Sequence, residues 1–176
     1  MKKIFTVLGT CFLIASANNA HAQTQASDDQ ISNMNLVDVI TISVAPGAGG
    51  ADATFDQVSE YVNGIENLLA VQATVSSTQN FDLNVQTTTA DFTGGVSVIP
   101  STVLMAKPAG AGSYVGLSTT SLNLYTNQSY GDNVSLAMDY KFVPGLSGYV
   151  AGTYSITATY TAVQQWELLI FEKVGL

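Results

Sequence analysis

From Tyr154 to Ala162 the chain alternates without a break. Tyr154, Ile156, Ala158, Tyr160 and Ala162 share one parity, and Ser155, Thr157, Thr159 and Thr161 share the other. Successive side chains of an extended strand point to opposite faces, so this run has one apolar face and one hydroxyl face, whereas a helix would mix the two. Threonine and tyrosine also suit a half-buried pleated surface. Gly152–Val163 is therefore expected to be a strand. The same period recurs at Val134, Leu136, Met138, Tyr140 and Phe142, and at Met34, Leu36, Ile40, Ile42 and Val44, with Asp38 on the same parity. Gly, Pro and Asn clusters bound these runs at Pro46–Gly50, Asn127–Asn133 and Pro144–Gly148.

Between these lie weaker signals. Ala70–Ser76 and Phe81–Val85 both alternate and are separated by Ser77-Thr78-Gln79-Asn80, which predicts a β-hairpin. Val96–Met105 reads as extended, with Pro100 confining that point to an edge or bulge. Ala106–Ser113 reads as a glycine-rich connection and Tyr114–Leu124 as another strand. Phe55, Val58, Tyr61, Val62, Ile65, Leu68 and Leu69 recur at helical spacing, so a short helix is expected near 55–69, interrupted at Asn63-Gly64. About seven or more short strands with no βαβ rhythm predict an all-β, Ig-like antiparallel β-sandwich spanning 34–165. An outer-membrane barrel fits less well, because several strands fall short of the ~9–11 residues a tilted spanning strand needs.

Met1–Ala22 has the form of a secretory signal peptide: Lys2-Lys3, an apolar run from Ile4 to Ala17, and Ala20-His21-Ala22 at the cleavage point. The single Cys (Cys11) and single His (His21) lie inside it, and the whole chain has no arginine. A chain starting at Gln23 would hold Lys107, Lys141 and Lys173 against thirteen carboxylates, a net charge of −10 compared with −8 before cleavage. It would open on an acidic segment, 23–33, expected to be flexible. Removing Cys, His and Arg takes away the groups most used for nucleophilic, acid–base and zinc chemistry at neutral pH. Lacking cations, such a chain is a poor match for nucleic acid or an anionic membrane. No stretch after Ala22 approaches the ~20 apolar residues of a spanning helix. The expectation is a secreted protein of the periplasm or cell surface that uses no cofactor and is not an enzyme.

The segment Ala151-Gly152-Thr153-Tyr154-Ser155-Ile156-Thr157-Ala158-Thr159-Tyr160-Thr161-Ala162 resembles the closing strand of pilin-like and spore-coat-U-like bacterial β-sandwich proteins. It is closer still to small exported Bacteroidota proteins that end in a strand of the form Tyr-x-x-Thr-x-Thr-Tyr-Thr-Ala-x-Gln-Gln. Leu36–Val44 and the Ser77–Val85 element belong to the same likeness. The resemblance implies a sandwich fold and carries over no catalytic residue. The chain departs from it in having no disulfide and in continuing past Gln164-Gln165.

Four candidate chemistries follow. Asp28-Asp29 and Asp52/Asp56 could offer carboxylates to Ca²⁺, but no D-x-D-x-D-G loop accompanies them, so solvated carboxylates and no metal site are expected. Lys107 and Lys141 are expected to be solvated lysines that limit edge pairing. Tyr114, Tyr125, Tyr130 and Tyr149 fall near predicted loops and could present ring faces to a glycan. The tail 166–176 is apolar on both parities and is expected to be a final strand of the same domain, with Trp166, Leu168, Ile170 and Phe171 alternatively candidates for self-association or strand addition. A structural or adhesive, fimbria-like role is expected, with a carbohydrate- or small-ligand-binding module as the alternative.

Overall fold

The computed structural model describes residues 32–165. Residues 1–22, read above as a signal peptide, and the tail candidates Trp166, Leu168, Ile170 and Phe171 lie outside the described residues. The chain divides into two units between Leu36 and Val37. Of the first, Met34 and Leu36 are solvent-exposed; the second carries the fold.

Its elements are β1 (Ile40–Pro46), α1 (Val58–Asn63), β2 (Ile65–Ser77), β3 (Phe81–Thr87), a 3₁₀ turn at Ser101–Val103, β4 (Leu104–Pro108), β5 (Val115–Gly116), β6 (Leu122–Gln128), β7 (Gly131–Phe142) and β8 (Ala158–Gln164). They form two antiparallel sheets, one of five strands in the order β1-β2-β7-β4-β5 and one of three in the order β6-β3-β8. The expected all-β antiparallel sandwich is present. Alternation fills its core: Ala73 and Val75 of β2 and Leu136, Met138 and Tyr140 of β7 face Phe81, Leu83 and Val85 of β3. Each fully buried side chain of this kind contributes about 1.5–3 kcal/mol. Among the described residues, no helix is long and apolar enough to cross a membrane.

Several expectations are corrected. Ala70–Ser76 and Phe81–Val85 do not form a hairpin: β2 pairs with β1 and β7, whereas β3 pairs with β6 and β8. Each needs its apolar face turned toward the other across the core, so the turn at Ser77–Asn80 arches between sheets. The Ser77 hydroxyl donates to Gln79 O at 2.6 Å and holds that arch. The short helix expected near 55–69 is present at Val58–Asn63 and stops at the expected Asn63-Gly64 interruption, where Gly64 takes φ 79° and the chain continues directly into β2. Glu60 starts that helix by accepting the N–H groups of Asp56 and Gln57 at 2.9 and 3.1 Å. The first strand begins at Ile40 rather than Met34, and Lys107 belongs to a strand rather than a loop. Tyr125 lies inside β6, and β6 runs on through Gln128 into the expected turn.

One irregularity organises the five-stranded sheet. Asn67 pairs with Tyr140 and Val71 with Met138, so Leu68, Leu69 and Ala70 bulge opposite the single residue Asp139. Leu69 takes φ 53°, in the left-handed region an L side chain seldom adopts. The Asp139 carboxylate, 2% exposed, holds it there. Its Oδ1 accepts the Leu69 N–H at 2.8 Å, its Oδ2 accepts the Gly110 N–H at 3.3 Å, and Lys107 Nζ lies 3.6 Å away. The loop after β1 closes over the other side, with Gly47 N–H donating to Ala70 O at 2.9 Å. A Cβ on Gly47 would sit 2.0 Å from Leu69 O, so only glycine allows that approach.

Removing a partner from a buried ion pair leaves an uncompensated charge. Asp139→Ala is expected to lower unfolding free energy by about 3 kcal/mol in urea titrations, whereas the exposed Asp132→Ala should change it by less than about 0.5 kcal/mol.

Candidate functional site

The two sheets differ in width, and the site lies where the wider one overhangs. Ile42 pairs with Val75 and Val44 with Ala73, which places both on the core-facing side of β1. They are nevertheless 37% and 44% exposed, because no strand of the smaller sheet reaches across to cover them. At one pole β1 and β8 are tied together: the Gln164 side-chain amide donates to Val39 O at 3.0 Å and to Ser77 Oγ at 3.2 Å. Toward the other pole they part, and a cleft of about 1010 Å³ opens between them.

Strands supply its floor and loops its rim. Val71, Leu104, Tyr140 and Phe142 line it from the five-stranded sheet, and Ala158 and Tyr160 from β8. Phe55 and Tyr61 pack ring to ring at 5.1 Å on the side of the β1–α1 connection. Tyr149 and Tyr154 come from the long β7–β8 connection. Among the described residues, Asp52 is the single carboxylate that lines the cleft, and no lysine, arginine or histidine does.

Three of its tyrosine hydroxyls are committed within the protein. The Tyr140 and Tyr160 hydroxyls share a hydrogen bond. Burial raises the pKa of both; for Tyr160, the Tyr140 neighbour pushes further the same way. Tyr154 Oη donates to Val150 O at 2.7 Å and accepts the Ser97 N–H at 3.3 Å. Ser97 Oγ in turn accepts the Val150 N–H at 2.9 Å. A Cβ on Gly95 would lie 2.0 Å from the Tyr154 ring, so this glycine lets the two loops close on each other. Thr93 and Ser155 complete the lock with a two-way backbone bridge, both bonds 2.8 Å.

Among the residues singled out from the sequence, Tyr149 lines the cleft, and the other three tyrosines have different neighbours. Tyr125 donates its hydroxyl to Ala137 O, and burial raises its pKa. Tyr130 is 66% exposed beside Gly131 and Asp132. Tyr114 lies on the outer face of the five-stranded sheet, with Lys107 Nζ 4.7 Å and Lys141 Nζ 5.9 Å from its ring centre. Its hydroxyl donates to Glu66. Burial, that bond, and the Glu66 and Asp139 charges all raise its pKa. Lys107 and Lys141 are therefore not edge-guarding solvated lysines but parts of this cluster. Asp52 reaches the cleft rim, and its carbonyl accepts from Asn67 Nδ2 at 2.7 Å. Asp28 and Asp29 lie outside the described residues. Among the described residues, no three His, Cys, Asp or Glu side chains gather to hold a metal.

Sequence reasoning missed Phe92, Phe142 and Asp139. The first two carry no signal beyond apolar parity. Asp139 stands on the outward parity of an apolar strand, where a solvated carboxylate is the ordinary reading. No family model matches the chain, and no curated protein is found to match it.

The raised phenols give a pH dependence whose sign is fixed. Tyr114, Tyr140 and Tyr160 stay protonated in the folded chain at pH values where the unfolded chain ionises, near about 10. Unfolding then releases protons, so stability is full below that pH and falls as pH rises through it. Absorbance titration should show these three ionising together with unfolding. Tyr140→Phe with Tyr160→Phe should reduce the alkaline loss.

Proposed function

We propose that this protein is a non-catalytic, exported structural or adhesive surface protein, a fimbria-like subunit that acts through contacts with neighbouring copies. The observation that carries this reading is the state of its sheet edges. β1 and β8 are both edge strands, and neither carries a charged side chain. Natural edge strands are ordinarily blunted by lysine, by bulges or by a covering element, because unpaired N–H and C=O groups recruit further strands. Here Pro46 ends β1, but among the described residues no strand pairs with the outer row from Ile40 to Ala45, and Val39, Ile42 and Val44 beside it are exposed. An edge left this way supports strand addition, in which main-chain hydrogen bonds supply affinity and alternate side chains supply specificity.

The added strand comes from a neighbouring copy. The tail 166–176, apolar on both parities with Trp166, Leu168, Ile170 and Phe171, is the segment whose sequence suits that role. The alternative, a carbohydrate- or small-ligand-binding module, draws its support from the aromatic cleft.

Size-exclusion chromatography with light scattering tests the reading. The parent chain should form concentration-dependent oligomers. Thr41→Lys with Ser43→Lys, placed on the solvent side of β1, should yield a folded monomer with an unchanged circular dichroism spectrum. A parent chain that stays monomeric at every concentration would sink self-assembly through this edge.

A further inference from the structure

We infer that the cleft between β1 and β8 is a binding site for an uncharged, largely apolar small molecule of lipid-like chemistry. The inference rests on the cleft alone and not on the open edge of β1. At about 1010 Å³ the cleft is at the top of the ~300–1,000 Å³ range in which small-ligand sites fall. Its walls are ring faces and aliphatic side chains held by two interlocked loops, so the space is preformed rather than opened on binding.

The ligand's chemistry follows from what the walls lack. With Asp52 as the sole carboxylate and no cation to neutralise an acid, an anionic headgroup would be buried unpaired beside a negative charge. A glycan needs free donors and acceptors at the depth where its hydroxyls settle. On the cleft floor the hydroxyls of Tyr140 and Tyr160 are bonded to each other, and that of Tyr154 is bonded to Val150 O. The remaining lining hydroxyls, of Thr54, Tyr61, Tyr149, Thr153, Ser155 and Thr157, come from α1 and the loops of the rim. A peptide strand needs a row of open backbone groups along its whole length. The Gln164–Val39 tie closes the gap between β1 and β8 at one end, so a strand inside the cleft could follow only the Val44–Pro46 end of β1. What fits is an uncharged molecule that offers apolar surface to the rings.

The approach to the cleft has the same character. Residues 92–106 and 143–157 contain no charged side chain, in a chain whose net charge is −8. On these loops Val96 is 82% exposed and Leu146 is 69% exposed. Both belong to the loops that carry the cleft residues Ile99, Tyr149 and Tyr154. They also give an apolar molecule a path inward that avoids an acidic surface.

The test uses the neutral dye Nile red with the full purified chain. Its fluorescence should saturate at one dye per chain. A monoacylglycerol should displace it at least ~10-fold more effectively than the fatty acid of the same chain length at pH 8, since only the latter would bury a charge. Ala53→Trp and Ala151→Trp enter the cleft from opposite rims, so one folded variant suffices, and either should abolish dye binding while Leu68→Ser, on the exposed bulge, leaves it intact. Absence of saturable dye binding, or dye binding unchanged in a folded tryptophan variant, would overturn the inference. So would displacement by a neutral oligosaccharide, or by a peptide of residues 166–176, since either would give the cleft to a different class of occupant.

Discussion

A five-stranded sheet facing a three-stranded one cannot close a sandwich over its full width, and this mismatch governs the rest of the molecule. Burial is complete where the sheets overlap, at Val75, Phe81, Leu83 and Met138, which are shut off from solvent. Beyond the edge of β8, no described strand of the smaller sheet lies opposite the core-facing residues Ile42 and Val44. Half-burying a residue of that size forgoes about 1 kcal/mol of transfer free energy. The β7–β8 connection meets part of this deficit by folding Tyr149, Tyr154 and Ile156 into the gap. The cleft is what that partial cover leaves open.

The opposite face of the same sheet answers a different constraint. A bulge of three residues against one requires a group that can hold an N–H pointing away from the strand ladder. A buried carboxylate does this better than a neutral acceptor, because charge-assisted hydrogen bonds are stronger. That carboxylate then needs a cation, which Lys107 supplies, and the lysine stem and its neighbour Lys141 need cover, which the Tyr114 ring supplies. In a chain so poor in lysine, two of the few are spent fixing one irregularity in one sheet.

Fold class was legible because strand period is a local property. Val134–Phe142 announces its faces by parity alone and β7 follows them, whereas of the expected strand Gly152–Val163 only Ala158 onward is β8, and Tyr154 and Ile156 belong to the connection before it. Pairing was not legible. Ala70–Ser76 and Phe81–Val85 look the same as hairpin arms or as strands of opposing sheets, since both arrangements bury alternate residues and only the partners differ. Helical spacing at Phe55–Leu69 marked a real helix as far as Asn63; past Gly64 the spacing belongs to β2, where the bulge at Leu68–Ala70 interrupts strand parity and imitates a longer period. Of the cleft, the sequence showed Tyr149 but not the convergence of Phe55, Tyr61, Phe92 and Phe142, which are far apart along the chain. Asp139 was invisible, because nothing local separates a buried carboxylate from a solvated one.

The hydrogen bond between Gln164 and Val39 has a mechanical consequence. It places the start of β1 and the end of β8 at the same pole of the sandwich, and each is an edge strand bonded on one side only. A force drawing the two ends of this body apart would therefore peel both strands from their outer tips. Backbone pairs would yield one after another, beginning at Ile40–Ser77 and at Gln164–Phe81, instead of resisting together in shear. Under tension the sandwich would open at its margins long before its central strands carried load.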